Sequence, residues 1–272
     1  MQEGWKYYNH AIIPTIAPHE IVDESQIRHP QFWKNWEGVP LFARWTSNFD
    51  CGYKTNWWYV IKDEPFDIEA IPSRKRYKIN KGKKYFDVKL VDINTYADKI
   101  ANVVIEVCST YPEAYRPILN EERIIRGLKN SNWVIFAAFE RSSDTLCGFV
   151  AIEEHDGYYN LIQQKAIQKY EKYQINASMV YYVLQFYSEQ LKMGSYIIDG
   201  ERNLLHKTSF QDYLEDYFGF RKAYCSLNIK YRGLVKMVVK VLFPFRRLFA
   251  KEGRLSGKIF SVLSMEEICR AK

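Results

Sequence analysis

Cysteine is sparse in this chain, and its distribution removes two classes of fold. The five residues, Cys51, Cys108, Cys147, Cys225 and Cys269, form no C-x-x-C pair and no Cys/His cluster. An odd, dispersed set supports neither a disulfide framework nor a zinc site, so no metal is expected and a reducing, cytoplasmic setting fits best. Long apolar runs are missing as well, since no window approaches the roughly 18–20 residues needed to cross a bilayer. The opening MQEGWKYYNHAIIP has neither the basic start nor the unbroken apolar stretch of a secretory signal. The expectation is a soluble chain, at most peripheral at the inner face of a membrane. No internal repeat is visible, and 272 residues suit one main domain with a substantial extension better than two full ones.

Aromatic residues are abundant: 21 Tyr, 16 Phe and 7 Trp. They supply buried surface with polar tips, suited to a core and equally to a groove facing sugar or lipid. A net charge of +7 makes anionic partners plausible without choosing among phosphate-bearing donors, nucleic acid and acidic membranes.

Residues 1 to about 50 read as irregular, interrupted by Pro14, Pro18, Pro30 and Pro40, and as packed through their Trp and Phe residues. Asn56 to Ile61 reads as a strand, a basic helix begins near Ser73 and stops at Gly82, and FDVKLV is the next strand. Helices follow at 95–111 and 120–130, then strands at 132–140, 146–154 and 158–167 joined by hairpin turns. A long helix over 176–194, capped by Asn176, a strand at 195–199, a helix at 210–218 and a strand at 223–231 complete the order. Strands clustered at the centre predict a mixed sheet in an α/β chain. The domains expected are an aromatic extension over 1–82, a main domain over 83–230 and a basic tail over 231–272.

That order resembles the GNAT acyltransferase fold, and the stretch after the long helix carries a local likeness: Asn203 follows SYIIDGER, and Gly219-Phe220 closes the last helix in YFGFRKAY. Residues 66–92 are similar to the junction in Fem-type peptidyl and aminoacyl transferases, where an Arg-rich helix leads into the first strand of a GNAT-like half. Ser73, Arg76, Ile79 and Lys81 take the places of its Ser-x-x-Arg-x-x-Ile-x-Lys pattern. The resemblance implies a GNAT-like fold with an N-terminal extension, or partial second GNAT-like half, and acyl transfer from acyl-CoA. It also places donor contacts at Gln174, Asn176 and Ala177 where the central helix opens, with Asn203 and Lys172 beside them. The family's loop is rich in glycine and this chain has none there, a departure shared with Fem-type relatives, whose donor is carried on tRNA. Aminoacyl-tRNA is therefore the alternative donor, with Lys165, Lys169 and Lys172 available to phosphates or simply forming a solvated edge.

Acyl transfer needs a base, an oxyanion stabiliser and a proton for the leaving group. His206 suits the base by its ordinary pKa, and equally suits a structural role in its loop. Asp199 and Glu201 flank the same strand end, to orient His206 or act themselves. Glu153, at the end of a central strand, is a further candidate alongside the reading of an exposed hairpin carboxylate. Glu215 stands where many GNAT proteins carry a tyrosine acid, with Tyr213 and Tyr217 beside it. Arg44, Trp45, Asp50, Trp57 and Trp58 suit an acceptor groove for a cell-envelope saccharide or lipid-linked precursor, or the buried inner side of the extension. Residues 231–254 interleave Val, Leu and Phe with seven basic residues and one acid, Glu252. Such a basic amphipathic helix suits an anionic membrane surface or docking onto its own domain, and Pro244 is expected to kink it.

Overall fold

The computed structural model describes residues 3–113, 116–204, 209–249 and 254–271. It is a mixed α/β chain whose contacts gather into two compact units, one of residues 1–60, 201–209 and 222–272 and the other of residues 61–200 and 210–221.

In the first unit, β1 (Trp5–Tyr8) and β2 (Ala11–Pro14) form an antiparallel hairpin. β2 runs parallel to β3 (Phe42–Ser47), which pairs antiparallel with β10 (Arg221–Tyr231) over Phe42↔Tyr231 to Ser47↔Ser226. β4 (Trp57–Lys62) lies on the other side of β10. The first fifty residues are thus not irregular. Four-residue strands bounded by Pro14 and by the turn at Asn9 and His10, both at positive φ, are too short to show a period of two. They are held by a cluster of Trp5, Ile12, Ile27, Phe32, Ala43 and Trp45, in which Trp5 meets Phe32 edge-on with centroids 5.2 Å apart. That cluster is the packing expected of the aromatics.

The second unit carries the order expected of the main domain. β5 (Phe86–Val91), α2 (Ile93–Ser109), α3 (Glu121–Lys129), β6 (Trp133–Glu140), β7 (Thr145–His155), β8 (Tyr158–Ala166), α4 (Ile175–Phe186), β9 (Tyr196–Glu201) and α6 (Ser209–Phe218) follow one another, with a short α5 (Ser188–Lys192) after α4. The strands lie in the order β9-β8-β7-β6-β5. All neighbours are antiparallel except β8 and β9, which are parallel. The antiparallel run β5 to β8 thus precedes the long helix α4, and the core of the unit is Ile135, Phe149, Val150, Ile152, Ile175, Leu184 and Phe218. Consecutive residues of β7 are buried because α2 and α4 both pack on this sheet, covering both of its faces. Asp92 caps α2 by accepting from the backbone N–H of Asn94 and Thr95, and Asn120 caps α3 by accepting from Arg123 N–H at 2.8 Å.

Two boundaries differ from expectation for physical reasons. α1 (Ser73–Tyr85) runs past Gly82. Gly82 faces α4 so closely that a Cβ there would sit 2.5 Å from the Gln174 carbonyl oxygen and 2.9 Å from Ser178 Cβ, so the glycine permits packing and ends nothing. The helix expected over 176–194 breaks at Tyr187, whose ring is fully buried and whose hydroxyl donates to Glu154 Oε1 at 2.7 Å. Gly219, at φ +66°, closes α6 in the left-handed conformation that glycine adopts at least cost.

In the tail, α7 (Val235–Leu242), a 3-10 turn over Phe243–Leu248 containing Pro244, and α8 (Arg254–Arg270) follow β10. α8 packs on the first unit through Leu263 and Met265, both buried, and through Glu266, which accepts from the Tyr231 hydroxyl at 2.9 Å. No helix among the described residues is long and apolar enough to cross a membrane.

Candidate active site

The parallel pairing of β8 and β9 is brief. It joins Tyr158 to Tyr196, Tyr159 to Ile197 and Asn160 to Ile198, and goes no further, although β8 continues to Ala166 and β9 to Glu201. The cause lies on the other side of β8. Ala151 pairs with Gln163 and Ile152 with Leu161, leaving Ile162 as an extra residue. A bulge of this kind bends its strand and raises the local twist, so β8 turns away from β9 two residues after their last pair. Residues 161–165 of β8, beyond the paired segment, are half-buried, while residues 146–152 of β7 are buried throughout. A strand with covered faces becomes half-exposed when a lateral neighbour is missing, and the sheet is open here.

Asp199 is the first β9 residue beyond the paired segment. Burial raises its carboxyl from the ordinary 3.8 to about 7, and a contact from the Gln211 side chain pulls weakly the other way. Gln211 Nε2 also donates to the Asp199 backbone carbonyl at 3.2 Å, tying the first turn of α6 to the end of β9. A carboxyl that titrates near neutrality beside an opening in the sheet has the properties of a general base.

The opening of α4 makes a second feature of this unit. Gln174, which precedes the helix, is left-handed at φ 66° and ψ 38°, a conformation that costs a residue with a Cβ roughly 1–2 kcal/mol. The sharp turn that a glycine would make is therefore made without one. Asn176 lies inside the first turn, since α4 begins at Ile175, so it is not the cap expected of it. Its Oδ1 accepts from Gln164 Nε2 of β8 at 2.9 Å. Ile175, Ala177 and Ser178 are buried, with α1 packed over them at Gly82. Gln164 Oε1 and Ser178 Oγ are buried without a hydrogen-bond partner among the described residues. Lys165, Lys169 and Lys172 each hold their ammonium over a tyrosine ring, at 5.5 Å from Tyr111, 4.9 Å from Tyr170 and 5.0 Å from Tyr173.

The other expected residues are distributed as follows. Glu153 is half-exposed at the hairpin end of β7, with Oε2 3.3 Å from His155 Nε2, and His155 stacks on Tyr158 at 4.4 Å. Glu215 is on α6, one turn beyond Gln211. Tyr213 of α6 is held neutral by burial, with the Tyr217 phenol adding to the effect. Tyr217 accepts from Lys78 Nζ at 2.6 Å. His206 lies outside the described residues. Among the described residues no group of three His, Cys, Asp or Glu side chains is placed to hold a metal ion.

Glu201 and Asn203 belong to the first unit. Asn203 is exposed. Glu201 pairs with Arg44 Nη1 at 2.5 Å in the wall of a cavity of about 450 Å3, mouth included, lined by Ile13, Pro14, Pro18, Trp45, Thr46 and Tyr59 among others. Burial opposes the Arg44 charge and the adjacent Glu201 carboxylate more than compensates. Burial, reinforced by the Glu201 charge, keeps Tyr59 protonated well above its usual range, and its hydroxyl shares a hydrogen bond with Thr46 Oγ1 at 3.1 Å. Of the groove expected around Arg44, Trp45, Asp50, Trp57 and Trp58, the first two line this cavity. Trp57 lies 5.9 Å beneath the Arg44 guanidinium, and Trp58 carries Arg202 over its ring at 4.6 Å.

Sequence reasoning passed over two groups. Lys62 is buried although charged, and that burial lowers its pKa. As the final residue of an apolar strand it gave no signal apart from a charge in register with core positions. Gln211 drew no attention because an amide in an amphipathic helix is commonplace.

No family model matches this chain, and no curated protein matches it. Solved structures do resemble it. L-PGS from Bacillus licheniformis is 13% identical with a TM-score of 0.44, over 74% of this chain and 66% of that one. FemX is 8% identical with a TM-score of 0.46, over 68% and 63%. The PaiA N-acetyltransferase of Thermoplasma acidophilum, solved with coenzyme A, is 18% identical with a TM-score of 0.30, over 40% and 74%. The chain thus spans less than two thirds of the length of FemX and about that share of L-PGS.

Proposed function

We propose that the protein is an acyltransferase that moves an activated acyl group onto an amine or hydroxyl, with Asp199 as the general base. The observation that carries this reading is the parting of β8 and β9 after Asn160 and Ile198, with a half-buried carboxyl raised to about 7 on the first unpaired residue. The acceptor N–H or O–H loses its proton to the Asp199 carboxylate as its N or O attacks the donor carbonyl. The new C–N or C–O bond forms, the bond to the carrier breaks, and the proton passes to the departing thiolate or alkoxide. The donor is acyl-CoA, whose phosphates suit the row of Lys165, Lys169 and Lys172. The acceptor is a cell-envelope saccharide or lipid-linked precursor.

One observation favours a second donor. The first turn of α4, where a pyrophosphate would meet backbone N–H groups, is buried under α1 at Gly82. An aminoacyl-tRNA presents its ester at the end of a single strand and needs no pyrophosphate cradle there. Incubation of the purified protein with a panel of acyl-CoA donors and with charged tRNA, followed by mass spectrometry of candidate acceptors, separates the two. Transfer abolished by ribonuclease selects tRNA, and ribonuclease-resistant transfer selects acyl-CoA. Transfer that persists unchanged in Asp199→Asn removes the base assigned here.

A further inference from the structure

We propose that α7 and the 3-10 turn after it form a docking surface for an anionic lipid membrane. Read from sequence, the apolar residues of this segment had two destinations, the protein's own core or an outside partner. The structure separates them. Val239 is buried at 5% exposure, whereas Leu234, Met237, Val238 and Val241 are exposed at 74%, 61%, 54% and 65%. These four stand at i, i+3, i+4 and i+7, one stripe of a helix. Phe245 and Leu248, at 55% and 80% exposure, prolong it through the turn. The helix therefore turns one side to the first unit and leaves a separate apolar side uncovered, and a contiguous exposed apolar stripe marks an interaction site.

Charge identifies the partner. From Arg232 to Phe249 there are five basic residues and no acidic one. Arg246 is committed to Glu267, with Nε 2.9 Å from Oε1, but Lys236, Lys240 and Arg247 enter no ion pair recorded among the described residues. Elsewhere cations of this chain stand against carboxylates, as Lys75 does with Asp216, Arg76 with Glu69 and Arg221 with Asp63. Lys236 and Lys240 lie roughly 150° and 110° round the helix from the middle of the stripe, at about 100° per residue. Their long stems reach headgroup phosphates while the stripe enters the acyl boundary. A surface shared by two copies of this chain would bring these like charges together, and a nucleic-acid track has no use for six exposed apolar side chains.

The full chain is tested by co-sedimentation with vesicles of phosphatidylcholine alone or mixed with phosphatidylglycerol, at low and high salt. The expected result is binding to the anionic vesicles that weakens with salt. It falls at least tenfold in Met237→Ser/Val241→Ser, and about fivefold for each of Lys236→Gln and Lys240→Gln. All four positions are exposed, and unchanged circular dichroism confirms that the variants fold. Anionic vesicles that fail to sediment the protein overturn the proposal, as does equal sedimentation of wild type and the double serine variant. Self-association that the serine substitutions abolish while vesicle binding is absent assigns the stripe to a second copy instead. These readouts need no transfer activity, so they stand or fall apart from the function proposed above.

Discussion

Replacing Asp199 by Asn tests the buried carboxyl directly, because the amide keeps the shape and removes the titration. In the folded chain the group holds its proton up to about pH 7, and its ordinary value is 3.8. Between those limits the folded state binds a proton that the unfolded state has released. Stability from this group is thus fully present below about pH 4 and is lost as pH rises through 7. At 1.36 kcal/mol per tenfold change, the whole loss is about 4 kcal/mol, of which about 3 kcal/mol falls between pH 5 and pH 8. The Asp199→Asn variant carries no such dependence. Urea unfolding of both proteins at a series of pH values, followed by tryptophan fluorescence, should show the variant gaining on the wild type by that amount across the interval. Every other titrating group is common to the two chains and cancels in the difference. A difference that stays flat from pH 5 to pH 8 refutes the buried, proton-holding Asp199. In the same interval wild-type transfer should rise with pH along a limb centred near 7, and the variant should lose about 10²–10⁴-fold in rate with no such limb.

Gln211→Leu removes the side-chain contact that lowers the Asp199 pKa, so the limb of the pH–rate profile should move to higher pH with little change in the plateau. Gly82→Ala places a methyl 2.5 Å from a backbone oxygen and should cost about 1–3 kcal/mol of stability in thermal or urea unfolding, despite the better helix propensity of alanine. Ser178→Ala, beneath the same contact, deletes a hydroxyl that has no partner among the described residues and should be neutral or stabilising by about 1 kcal/mol. Gln174→Gly relieves the left-handed strain at the start of α4 and should stabilise by about 1 kcal/mol, with a loss of transfer if the Gln174 side chain meets the donor.

The second unit was legible because its segments are long and its signals agree. The Gly219-Phe220 step marks an end, and strands such as β6 and β7 are continuous apolar runs bounded by turns, as sheets covered on both faces require. The first unit was not, since its organisation is non-local. β3 joins a partner in β10 more than 170 residues away, through pairs such as Phe42↔Tyr231, and strands of four residues carry too few alternations to be read. Gly82 shows a related difficulty: the same residue signals a helix end to a local reading and a close helix crossing in space.

The site was legible in composition and not in chemistry. Asp199 and Glu201, two residues apart on one strand, were interchangeable candidates in the sequence, yet they enter different compact units and different electrostatic surroundings. Glu201 meets a guanidinium at 2.5 Å, which stabilises its charge and ties it to Arg44. Asp199 enters no ion pair among the described residues, and burial raises its pKa. The Arg44 guanidinium engages the lone pairs of Glu201 in an ion pair, whereas burial raises the Asp199 carboxyl to about 7. That contrast follows from which side chains face each carboxyl, and for Glu201 the partner is 157 residues away in sequence. The local pattern Asp-Gly-Glu therefore fixes where the acids stand, and the distant Arg44 sets their surroundings apart.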